Sequence, residues 1–150
     1  MIVFRIGKLK WKEDLTGEGA KKFGGRWNHI GVACIYTSES RALSVLEYSS
    51  HTPLDLIPRG LGFTLYEIPE DKVYNCEEAE LPGDWRNLTH TKSCKDFGTK
   101  MLLDNLVIKL PSVTLPYEHN YILNPSNPSF SRHIHIHSTE DYAYDLRIKK

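Results

Sequence analysis

Apolar positions fall in short runs whose period changes along the chain. Residues 3–6 read as a brief strand. Residues 11–28 are polar, with glycines at 17, 19, 24 and 25, and predict a loop with one short helical turn. Residues 30–36 are apolar and partly β-branched, the pattern of a buried strand. The hydroxyls of Thr37, Ser38 and Ser40 then offer an N-cap for a helix over residues 40–49, with Ala42, Leu43, Val45 and Leu46 as its apolar stripe. Leu61, Phe63 and Leu65 alternate with Gly62, Thr64 and Tyr66, which predicts a half-buried strand. A turn at 81–85 carries Trp85 as an aromatic anchor, and residues 94–103 suit a helix. Leu106, Ile108 and Leu110 alternate with Val107 and Lys109 in a strand stopped by Pro111. Further strands are predicted at 121–123, 133–137 and 145–148, with a turn at 124–128. Many strands, few helices and no regular βα alternation predict an α+β fold with compact mixed or antiparallel sheets.

Composition narrows this picture. A chain of 150 residues suits one domain, 1–150, and removes about 68–70% of its unfolded surface from water, enough for a core without metal or disulfide staples. Lys and Arg number 19, as do Asp and Glu, so the formal net charge is zero. A neutral chain lacks the global field that gathers a nucleic-acid backbone, so no direct nucleic-acid partner is expected. Cys34, Cys76 and Cys94 form neither a close pair nor a zinc-knuckle spacing, as suits a reducing compartment. The apolar run at the start is too short for a secretory signal and no stretch approaches a membrane span, so a cytoplasmic protein is expected.

Several residues carry candidate chemistry. Gly24-Gly25 lets the backbone turn or approach a ligand closely, and the Arg26 guanidinium that follows offers a planar fork suited to a phosphate or diphosphate. Trp27 can shield such a contact or stack on a ring. The same group also suits a tight turn with a solvated arginine and a core tryptophan. Glu47 sits at the edge of the helix stripe, where a carboxylate serves either charge stabilisation or simple coverage of the stripe by its stem. Ser112, fixed behind Pro111, lacks the glycine elbow of a nucleophile and on local chemistry reads as a turn serine. His133, His135 and His137 share one face if residues 133–137 form a strand, but nothing is spaced to complete a metal site, and none is expected. Cys34 lies in an apolar run and reads as a small core residue.

The order Gly17-x-Gly19-Ala20, Gly24-Gly25-Arg26-Trp27-Asn28, Tyr36-Thr37-Ser38-Glu39-Ser40 and Ala42-Leu43-x-x-Leu46-Glu47 resembles the N-terminal half of a RES domain. Leu81-Pro82-x-x-Trp85, Gly98, Leu110-Pro111-Ser112-Val113, Glu118-x-Asn120-Tyr121-x-Leu123-Asn124-Pro125 and Asp145-x-Arg147 resemble its C-terminal half. The resemblance implies the toxin of a bacterial type II toxin–antitoxin pair, whose partner is an Xre-type helix-turn-helix antitoxin in an oligomeric complex. It implies an ADP-ribosyltransferase-like body with a cleft between sheets that holds NAD⁺ as substrate, without a metal. It further implies cleavage of the nicotinamide–ribose bond with water or phosphate as acceptor, or in some members ADP-ribosylation of a protein, the alternative of another class being a catalytically silent module that binds the antitoxin. By position, Glu47, Arg26, Tyr36 and Ser112 are its expected catalytic residues. Arg26, Trp27, Asn28, Tyr36 and Ser112 are its expected dinucleotide contacts.

Overall fold

The computed structural model describes residues 1–149. Its strands are β1 (Ile2–Lys8), β2 (Ile35–Ser38), β3 (Gly60–Glu67), β4 (Val73–Asn75), β5 (Val107–Pro111), β6 (His119–Leu123) and β7 (His135–Ala143). They form one sheet in the order β4-β5-β6-β2-β1-β3-β7, antiparallel except for the parallel β4–β5 pair. The helices are α1 (Glu18–Phe23), α2 (Arg41–His51), α3 (Lys92–Asp104) and α4 (Phe130–His133). The fold is α+β, as the irregular alternation of elements predicts.

Strand parity sorts the core. Val45 of α2 packs with Ile6, Leu61, Phe63 and Leu65 on one sheet face. Leu102 of α3 covers Ile108, Leu110 and Ile122, while Phe130 of α4 joins Val3, Ile35, Tyr66, Val107 and Leu123 in a separate cluster. Helix α2 starts where its hydroxyls predict: the Ser40 side chain accepts from Leu43 N at 3.0 Å. Helix α3 is capped likewise by Thr91, which accepts from Cys94 N.

The implied cleft between sheets takes another form. A single sheet is present, but β1 and β2 pair at only one position, Phe4↔Ser38. Beyond that pair they part, and a cavity of about 350 Å³ opens there, lined in part by Arg5, Gly24, Tyr36 and His51.

Four local expectations change. The strand expected over 30–36 begins only at Ile35, and Ile30 is 71% exposed. The Asn28 amide donates to the carbonyls of Ala20, His29 and Val32, which holds this stretch in a turn that Gly31 completes at φ +96°. Strand β3 is buried on both faces rather than one. The segment before α1 covers its second face, where Tyr66 donates to Asp14 O at 2.6 Å and Thr64 to Lys12 O. His133 closes α4, so the histidines expected on one strand face are divided between two elements. The last expected strand is instead a 3-10 turn, Leu146–Ile148, where the Asp145 carboxylate accepts from Arg147 N.

Candidate active site

Glu47 lies in the second turn of α2, half-buried, with its carboxylate over β6 and the loop that follows β5. Oε1 accepts from Ser112 Oγ at 2.7 Å and from Asn120 Nδ2 at 2.6 Å, and Oε2 accepts from Thr114 Oγ1 at 3.1 Å. Two of these donors are themselves placed. Ser112 is 2% exposed, and its hydroxyl accepts from Leu115 N at 3.0 Å while donating to Glu47. Asn120 Oδ1 accepts from Ser38 Oγ at 2.7 Å. A hairpin bond from Ser112 N to Glu118 O at 2.8 Å closes the loop. These charge-assisted hydrogen bonds fix the direction of the Glu47 side chain. Ser112, a plain turn serine on local chemistry, is therefore a ligand of the glutamate.

A second cluster surrounds the Gly24-Gly25 turn. Tyr36 OH accepts from Trp27 N at 3.0 Å and donates to Asn28 Oδ1 at 2.7 Å. Burial holds this phenol well above its ordinary range, so it keeps the proton it donates. A Cβ at Gly25 would stand 2.7 Å from Tyr36 OH, so only glycine admits this approach. Arg26 Nη1 donates to the carbonyls of Trp85 at 3.0 Å and Asn87 at 2.7 Å. No carboxylate pairs with it among the described residues.

Trp27 and Asn28 point inward. Trp27 is 4% exposed and meets Phe97 edge to face at 6.0 Å, and Asn28 is fully buried with its amide spent on the turn. Their side chains hold the turn that presents Arg26 and Tyr36. Burial pushes the Cys34 thiol up to about 12, which leaves it an inert core group.

Strand β2 links the two clusters. Tyr36 and Ser38 share a face two residues apart, about 6.6 Å at ordinary strand rise. Tyr36 anchors the arginine turn, and Ser38 supports Asn120 beneath Glu47. His51 lies one helical turn beyond Glu47 on α2 and lines the cavity with Tyr36 and Gly24. No local pattern marks His51 or Lys95, which approach the turn only in three dimensions. Lys95 Nζ is 3.3 Å from where a Gly24 Cβ would stand. Among the described residues no three His, Cys, Asp or Glu side chains gather as a metal site, and no helix is long and apolar enough to cross a membrane.

The fold and site define an α+β protein in which β2 links a hydrogen-bonded carboxylate, Glu47, to the turn that carries the Arg26 guanidinium; Tyr36 and Gly24 line the cavity there, and Glu47 and Arg26 are not among its lining residues. Residues 2–145 match the RES domain family, and the chain belongs to it. It is 31% identical over 153 residues to a protein of Photorhabdus laumondii named Toxin Res, covering 100% of this chain and 98% of that one. It is 32% identical over 141 residues to a Sphingobium protein named Prs ADP-ribosylating toxin, covering 91% of this chain and 87% of that one. The crystal structure of the Mycobacterium tuberculosis MbcT–MbcA toxin–antitoxin complex holds a chain of similar fold. The TM-score is 0.65 at 16% identity, covering 95% of this chain and 84% of that one.

Proposed function

We propose that this protein is the toxin of a bacterial toxin–antitoxin pair and that it depletes NAD⁺ by cleaving the nicotinamide–ribose bond, with water or phosphate as acceptor. One observation carries the reading: a half-buried carboxylate, Glu47, is held by Ser112, Thr114 and Asn120, and β2 links that cluster to the turn of Arg26, which makes no ion pair among the described residues. Breaking the glycosidic bond builds positive charge on the ribose, as in oxocarbenium-like glycosyl transfer. A fixed carboxylate beside that carbon stabilises the charge without reorganising, because its donors already hold it.

In this reading Arg26 clamps the diphosphate with N–H groups beyond those it spends on Trp85 and Asn87. Tyr36 offers its ring, since its hydroxyl is occupied by Trp27 and Asn28. Ser112 acts through Glu47, whose direction it sets. Nicotinamide leaves neutral, so no strong general acid is required. The partner in this reading is an Xre-type helix-turn-helix antitoxin, the setting is the cytoplasm, and NAD⁺ is substrate with no metal required.

A second outcome from the same site is ADP-ribosylation of a protein, favoured by the Sphingobium relative's name. Incubation with NAD⁺ labelled in its adenylate half separates the two. Free labelled ADP-ribose or its phosphate ester supports depletion, label on a protein band supports transfer, and intact NAD⁺ contradicts both.

A further inference from the structure

Charge around the Gly24-Gly25 turn is unbalanced. In a chain of zero net charge, Arg26, Lys95 and His51 gather there, and among the described residues none of the three makes an ion pair. Arg26 is fixed by the carbonyls of Trp85 and Asn87, a few residues before His90. Lys95 reaches from the first turns of α3 to place Nζ against Gly24, and His51 lines the cavity beside Gly24 and Tyr36. The carboxylate on that cavity wall, Asp14, faces Arg5 at 3.9 Å and accepts from Thr16. Partial desolvation, then the fields of Arg26, Lys95 and His51, hold the His90 imidazole below its ordinary range. Arg26 and Lys95, two cations gathered without a counter-charge, repel one another, and a bound oxyanion relieves that repulsion.

We propose that Lys95 and His51 form a second anion-binding arm beside Arg26 and the Gly24-Gly25 turn, and that the two arms together bind a phosphoryl oxyanion. The oxyanion is either the diphosphate of a dinucleotide or free orthophosphate, and both offer the same clustered, multiply charged oxygens. Arg26 supplies fixed planar geometry, whereas Lys95 supplies a mobile point charge that follows the ligand. The arm deepens the NAD⁺ reading by adding residues to its anion end, and it is testable without turnover.

The test is calorimetric titration of the intact protein with ADP, adenosine and orthophosphate, for wild type, Lys95→Ala and Lys95→Arg. Wild type binds ADP more tightly than adenosine. Lys95→Ala weakens ADP by about 10-fold, the size of one charge-assisted contact, leaves adenosine unchanged, and is largely rescued by Lys95→Arg. If Lys95→Ala weakens orthophosphate and spares ADP, the arm holds the free anion. Equal binding of both anions by wild type and Lys95→Ala overturns the proposal. With NAD⁺, Lys95→Ala raises KM and leaves kcat within about 2-fold, since the contact persists from ground to transition state. Lys95-dependent ADP binding by a wild-type protein that leaves NAD⁺ intact rejects the NAD⁺ reading and keeps this arm. NAD⁺ turnover with Lys95-independent KM and ADP binding rejects the arm and keeps the reading.

Discussion

Ser112 Oγ donates to Glu47 Oε1 at 2.7 Å across 65 positions of chain. The serine belongs to the carboxylate: its hydroxyl also accepts from Leu115 N, so its proton is aimed at Glu47 and its oxygen is engaged by the loop. Substituting Ser112→Ala removes one hydrogen bond to a charged group, worth about 1.5–3 kcal/mol. In the proposed reaction NAD⁺ turnover falls by about 10-fold or more, chiefly in kcat, because the lost bond holds the charge-stabilising group and not the substrate. Steady-state NAD⁺ consumption checks this, and an unchanged kcat speaks against the serine's positioning part.

Gly98 of α3 lies against the backbone of Trp27, and a Cβ there would stand 2.0 Å from Trp27 O. Gly98→Ala must push α3 and the arginine turn apart, an overpacking cost of about 1–3 kcal/mol. Urea unfolding shows a lower midpoint with an unchanged slope. A midpoint equal to wild type contradicts the close approach.

Tyr36→Phe keeps the ring and removes the acceptor of the Trp27 N–H. An unsatisfied buried donor costs about 1–3 kcal/mol, visible in the same unfolding measurement. If the phenol were free for a substrate hydroxyl instead, the substitution would raise KM and leave stability untouched.

His90 gives stability a defined pH window. Its imidazole, though exposed on one side, titrates below the ordinary value of 6.5 in the fold, through partial desolvation and then through Arg26, Lys95 and His51. The unfolded chain therefore binds more protons just below that value, and stability falls as the pH drops through this range. His90→Asn flattens the fall of melting temperature as the pH drops from about 7 through the range just below the ordinary histidine value. Asp84, Asp96 and Glu140, held low by Ser93, Lys92 and Arg41 respectively, lose their contributions only in the acid range below the ordinary carboxylate values, so the two windows separate. An unaltered slope in His90→Asn contradicts the cationic surroundings assigned to it.

How much of this was legible beforehand follows the range of each interaction. The α2 cap at Ser40 and the strand stopped at Pro111 are local, and periodicity reads them correctly. The turn at 28–33 depends on the Asn28 side chain reaching carbonyls up to eight residues away, so apolar content there misleads as to a strand. The second buried face of β3 depends on chain 52 positions distant. Glu47 and Ser112 stand out by family order and not by local chemistry, since nothing within their own segments shows that they meet. Trp27 and Asn28 fall in the motif but face inward, because a motif marks the turn as a unit without saying which side chains leave it. Lys95 and His51 have no motif, and only the packing of α3 and α2 around the glycine pair assembles them.

The most direct measurement is NAD⁺ loss by purified protein, free of its partner, for wild type and Glu47→Gln. Glutamine keeps the size of the side chain and removes the negative charge. Losing one preorganised electrostatic group lowers kcat by about 10²–10³-fold, with binding of ADP-ribose preserved. Full NAD⁺ turnover by Glu47→Gln contradicts the account, because the ribosyl cation then forms without the carboxylate that Ser112, Thr114 and Asn120 hold in place.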